Sequence, residues 1–263
     1  MLLENKNAVI YGAAGAVGSA VARAFAREGA RLFLTGRDLG ALDALAKEIT
    51  AAGGAAETAE VDALDEKAVT DHVDDVVDKA ATVDISFNAI GIPQQGIQGI
   101  RLTELPVDNF TSPINIYARA HFVTGRAAAQ HMITQGSGVV LMHTPEPARL
   151  GIPLLGGMSP AWAYMEALNR AFSAEWASHG VRAICLRTTG MEETPTIDVV
   201  FGLHAQAYDV TRKDFAATMA AQTHRKRATT LAELAEAAVF VASDRAAAMT
   251  GTVVNLTGGI IVD

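Results

Sequence analysis

Three features of the 263-residue sequence predict an α/β fold, a doubly wound parallel sheet of about seven strands with helices on both faces. Short strand-like runs alternate with helical ones along the chain, as in repeated strand-helix-strand units. Hydrophobic residues make up 50%, enough at this length to bury such a sheet fully. The first strand-like run, Ala8 to Ile10, enters an alanine-rich helix through Tyr11-Gly12-Ala13-Ala14-Gly15-Ala16-Val17-Gly18, a turn nearly free of side chains. Glycines there let the backbone turn sharply, approach a pyrophosphate closely and pack the new helix on the sheet. The helix N-terminus turns its free N–H groups toward phosphate charge, so the turn is a candidate dinucleotide seat.

The elements follow in order. The first helix, Ser19 to Glu28, is closed by Gly29. Strand-like runs follow at Arg31 to Thr35, Ala56 to Val61, Val83 to Phe87, Val139 to Met142, Arg182 to Leu186 and Val253 to Leu256. Asp38 opens the second helix, and Thr230-Leu231-Ala232-Glu233 is a capping box that opens the last. Met191 to Arg227 has no matching strand and follows the sixth one, so a substrate flap is expected at 191–227 on a single domain spanning 1–263.

Composition narrows the function classes. Formal charge is −8, with 29 acidic against 21 basic residues, and the only basic cluster, His224-Arg225-Lys226-Arg227, is too short for a nucleic-acid face. The single cysteine, Cys185, has no intrachain partner, which points to a reducing compartment; the cytoplasm is expected. Met1 to Lys6 lacks the regions of a signal peptide, and nowhere do about 18 apolar residues run uninterrupted, so no membrane partner is expected. The histidines His72, His121, His131, His179, His204 and His224 lack tight ligand spacing, and no metal site is expected. Ser159 lacks the glycine flanks of a hydrolase elbow.

Gly12-x-x-Gly15-x-x-Gly18, Thr35-Gly36-Arg37, Val61-Asp62, Asn88-Ala89-Ile90-Gly91, Gly138-Val139-Val140, Gly180-Val181-Arg182 and the closing Thr250-Gly251 to Gly258-Gly259 segment share one order and spacing. That order is similar to the short-chain dehydrogenase/reductase family, which the chain resembles over nearly its whole length. The resemblance implies a Rossmann-type fold and oxidoreduction of a small carbonyl or activated alkene with a nicotinamide dinucleotide. It also implies a homodimer or homotetramer built partly on the helix from Ser159 to Ser178 and on the C-terminal segment. Gly12, Ala14, Gly15, Val17 and Gly18 would form the pyrophosphate turn, and Asp62 would meet the adenine amino group. Asn88, Ala89 and Gly91 would form the adenosine-side wall, and Thr194 would meet the nicotinamide carboxamide. The family's middle glycine lies one place later, at Ala16 here, and its first wall asparagine falls on Phe87. NAD is usually selected by a carboxylate at the end of the second strand. Arg37 stands there instead, and its guanidinium suits a 2′-phosphate, so NADP is favoured over NAD.

The family's catalytic set is a Tyr, a Lys four residues later, a Ser and an Asn. Anchored on Ala171-Phe172-Ser173 and the Gly180-Val181-Arg182 turn, the resemblance puts the Tyr position on Trp162 and the Lys position on Glu166. The Ser position falls on Thr144, after His143, and the Asn position on Tyr117. An indole cannot exchange a proton near neutrality, and a carboxylate raises rather than lowers the pKa of a neighbouring phenol. Tyr164 lies about 200° around the helix from Trp162 and is expected to face away. Two readings follow. In one, a working reductase recruits Tyr117, His143 or a protonated Glu166; in the other, a non-catalytic nucleotide-binding or scaffold protein keeps the seat while Trp162 fills the catalytic cavity.

Overall fold

The computed structural model describes residues 1–262. Strands β1 (Asn7–Tyr11), β2 (Arg31–Gly36), β3 (Ala55–Glu60), β4 (Ile85–Asn88), β5 (Gly138–Pro145), β6 (Val181–Thr188) and β7 (Thr252–Leu256) form one sheet. All neighbours are parallel, in the order β3-β2-β1-β4-β5-β6-β7. The helices are α1 (Ala16–Arg27), α2 (Leu39–Ala51), α3 (Glu66–Ala80), α4 (Val107–Gln135), α5 (Met158–Trp176), α6 (Pro195–Ala207), α7 (Arg212–Gln222) and α8 (Leu231–Ala242).

Strand parity decides the layering, because successive side chains leave a strand on opposite faces. Ala8 and Ile10 of β1 pack with Val21 and Phe25 of α1, Leu42 of α2 and Leu234 of α8. Val9 and Tyr11 join the opposite core with Val69 of α3, Val123 of α4 and Phe172 of α5. The helices are therefore divided three and three over the two faces, with α6 and α7 beyond β6. Each fully buried Leu, Ile or Phe contributes roughly 1.5–3 kcal/mol by leaving water, so both faces are needed to hold the sheet.

The expected punctuation is present. Asp38 caps α2 by accepting from the Ala41 N–H at 3.0 Å, and Gly29, at φ +92°, follows α1. Thr230 and Glu233 form the capping box of α8. At the other end of that helix the Arg182 guanidinium donates to the carbonyls of Val241 (2.8 Å) and Ser243 (3.1 Å), tying the helix terminus to β6. The strand order turns outward from β1 to β2 on one side and to β4 on the other. The crevice at their C-terminal ends is the topological switch point, where ligands of such sheets bind. No described helix is long and apolar enough to cross a membrane.

Candidate active site

The glycine turn sits at this switch point. Gly12 adopts φ +68°, a region that favours glycine, and a Cβ on Gly18 would lie 2.4 Å from the Gly12 carbonyl oxygen. The turn can close against α1 only without side chains at these places. Gly15 is the N-cap of α1 and offers no capping side chain, so the first-turn N–H groups are left for an anion. Across the crevice Asn88 holds the wall after β4: its amide donates to Thr124 Oγ1 at 3.0 Å and accepts from the Ile90 N–H at 3.1 Å. These groups fit a dinucleotide pyrophosphate and its adjoining ribose. Arg37 and Asp62 follow β2 and β3 along the same sheet edge, both exposed. Asp38 is engaged in capping α2, and no salt bridge joins it to Arg37.

A cavity of about 240 Å³ opens from the seat. Gly15, Val17, Asn88, Ala89, Gly91 and Thr194 of the expected cofactor set line it, as do Tyr117, His143 and Trp162 of the expected catalytic set. Thr194 is buried and caps α6, accepting from the Ile197 N–H at 3.2 Å while donating to the Met191 carbonyl at 2.9 Å. Ile197 and Phe201 of α6 and Phe215 and Met219 of α7 close the far side, so the 191–227 segment, expected as a flap, forms two helices whose apolar faces meet the cavity.

Two expected catalytic positions lie elsewhere. Thr144 has the parity of Val140 and Met142, so it turns toward α5, donates to Glu166 Oε1 at 3.1 Å and touches Cys185 Sγ at 3.4 Å. Burial pushes the Cys185 thiol up to about 12, in keeping with an inert core group. Glu166 is buried one turn beyond the cavity and accepts from Arg187 Nε and a terminal guanidinium nitrogen at 2.7 and 2.6 Å. It is engaged by Arg187 and does not line the cavity. The cavity-facing residues four apart on α5 are Met158 and Trp162, in place of Trp162 and Glu166. Tyr164 is absent from the lining, as expected from its angle on the helix. Neither Met158 nor Trp162 can give up a proton near neutrality.

The remaining polar lining is held mostly neutral. Tyr117 stacks on His121 at 5.9 Å and hydrogen-bonds with Trp162, while burial pushes its phenol up to about 12. Burial takes His121 down to about 3 and His143 to about 4; His143 Nε2 lies 2.8 Å from Thr188 Oγ1. At the α6 side, His204 Nε2 is 3.1 Å from Gln98 Oε1, and Gln98 donates to Gln94 Oε1 at 2.6 Å. Glu146, which no sequence motif singles out, follows β5 and starts the 3-10 turn Glu146–Ala148. Its place just past the C-terminal end of β5, between two prolines, was the available signal.

Residues 12–261 match the family model described as enoyl-(acyl carrier protein) reductase. The chain belongs to the short-chain dehydrogenase/reductase family. The uncharacterized oxidoreductase YxbG of Bacillus subtilis (strain 168) is 31% identical over 259 residues, covering 98% of this chain and 92% of that protein. The gluconate 5-dehydrogenase of Gluconobacter oxydans (strain 621H) is 26% identical, covering 99% and 96%. Among solved structures, an NAD+-bound xylitol dehydrogenase superposes with TM-score 0.92 at 24% identity over 98% of this chain and all of that one. An actinorhodin polyketide ketoreductase with NADPH gives 0.88 at 22%, covering 97% of each. At these identities the two structures speak for the shared fold.

Proposed function

We propose that the protein is an NADP-dependent reductase of small apolar carbonyl compounds or activated alkenes. The observation that carries this reading is the continuity of the glycine turn and the open α1 N-terminus with an apolar-walled cavity beneath α6 and α7. The bound dinucleotide would supply hydride. Gly15, the α1 N–H groups and the Asn88 to Gly91 wall would hold its phosphates and ribose, and buried Thr194 would meet the carboxamide. Arg37, exposed at the end of β2 and with no competing ion pair to Asp38, would take the 2′-phosphate. Met158, Trp162, Leu155, Ile197 and Phe201 would exclude water and select an apolar substrate, with α6 and α7 acting as the flap.

Trp162 lines the cavity without filling it, which favours catalysis over a scaffold role. The same reading includes assembly through α4 and α5, where Phe122, 42% exposed, packs on Phe172 and Phe172 stacks on Trp176 at 4.0 Å. The test is calorimetric titration of nucleotide-free protein with NADPH and then NADH. Tight NADPH binding with weak NADH binding is expected. Binding of neither would refute the reading and leave the glycine turn as architecture.

A further inference from the structure

Among the described residues, Glu146 is the one carboxyl lining the cavity, and no described lysine or arginine lines it. The residue is 4% exposed, and its Oε2 has no hydrogen-bond partner among the described residues. Buried polar atoms are normally satisfied, so an orphaned carboxyl oxygen on a residue that lines the cavity marks a group able to take up a hydrogen-bond partner there. The turn that carries Glu146 is pinned to α5 by the Ser159 hydroxyl, which donates to the Pro147 carbonyl at 2.6 Å. The carboxyl is thus fixed to the same frame as Met158 and Trp162.

The neighbouring titratable groups leave it without a competitor. From α4, Tyr117 holds its proton to about 12 and His121 stays neutral down to about 3; from β5, His143 does so down to about 4. From α6, burial lowers His204, and α5 contributes the non-titrating Met158 and Trp162. Burial raises Glu146 to about 7, where a group exchanges protons readily at neutral pH.

We infer that Glu146 is the acid–base residue of this cavity, binding the oxygen of an apolar ketone or aldehyde through its carboxyl proton and then transferring that proton. The inference rests on the reductase reading above. As the carbonyl carbon gains the hydride, the C=O π pair moves to oxygen, which takes the Glu146 proton to complete the alcohol. The carboxylate left behind regains a proton from water, and the reverse sequence serves oxidation. Glu146 thereby supplies what the Met158–Trp162 pair lacks.

The test uses acetophenone as the probe, titrated calorimetrically into the full-length protein with and without NADPH across pH 6 to 8.5. Loss of a donated hydrogen bond from a protonated carboxyl should weaken acetophenone about tenfold with a midpoint near 7 in the wild type. Binding to Glu146→Gln, which cannot titrate, should show no such inflection. If the variant does not fold, the infrared C=O stretch of a protonated carboxyl in the wild type should vanish with the same midpoint. A pH-independent wild type, an inflection that survives in Glu146→Gln, absence of the carboxyl band, or no acetophenone binding at any pH overturns the assignment. NADPH binding in the same samples separates the two readings. If NADPH binds while an acetophenone arm fails, only the Glu146 assignment falls; if NADPH does not bind, the reductase reading falls and takes the transfer step with it.

Discussion

Replacing Glu146 by Gln should change the pH dependence of folding stability, because burial raises the carboxyl from 4.5 to about 7 in the folded protein. Below about pH 4 the group is protonated in both folded and unfolded chains and contributes nothing. As pH rises, the unfolded chain releases the proton first while the folded one keeps it, so the unfolded state binds fewer protons and stability falls. Above about 7 the full cost is present. At about 1.4 kcal/mol per pH unit, the interval from 4.5 to about 7 amounts to about 3 kcal/mol. The packing difference between Gln and Glu is the same at every pH, and His121 and His143 titrate in both proteins, so these effects cancel in the comparison. Urea unfolding of both proteins at about pH 4 and about pH 8, with matched m values, gives the number. The stability of Glu146→Gln relative to wild type should rise by about 3 kcal/mol between the two conditions. A change below about 1 kcal/mol would refute the argument, because the carboxylate would then be solvated or partnered in the folded state.

Three further perturbations probe the seat, its selectivity and the buried pair. Gly18→Ala brings a Cβ to within 2.4 Å of the Gly12 oxygen, so dinucleotide affinity should fall at least tenfold and the thermal midpoint should drop; unchanged calorimetric binding would count against the seat. Arg37→Glu should weaken NADPH about 30-fold, roughly 2 kcal/mol, while leaving NADH within threefold, and competitive titration measures both. Glu166→Gln breaks the bidentate pair with Arg187 and should cost 3–5 kcal/mol in urea unfolding while acetophenone binding to the folded protein persists.

The fold was readable because each of its determinants is local. Strands buried on both faces announce themselves as short apolar runs, and Asp38, Gly29 and the Thr230–Glu233 box mark helix ends through contacts a few residues long. Even β3, whose Ala55–Glu60 sequence carries two glutamates, was recoverable from its place between two helices. The backbone around the glycine turn was readable for the same reason: the turn, the helix start and the segment after β4 are each short and fixed by the strands before them.

The chemistry of the cavity was harder, because it depends on parity and depth, which sequence spacing constrains poorly. Along α5 the stripe Met158, Trp162, Glu166 keeps one face at intervals of four, so a slip of one turn preserves every helical argument and moves the pair about 6 Å along the axis. Where β5 and β6 end decides which turn meets solvent-filled space and which meets Arg187. On β5 a slip of one residue is worse, since it exchanges faces: Thr144 goes to the buried ion pair, while His143 and Pro145 face the cavity. The same consideration brings Glu146 into view. A strand that delivers His143 and Pro145 to the cavity and then turns into a 3-10 segment pinned to α5 leaves its next carboxyl at the cavity wall. Of the ionisable groups expected for catalysis, Glu166 is displaced from the cavity and Tyr117 and His143 are kept neutral by burial, so the carboxyl that burial tunes toward neutrality inherits the proton chemistry.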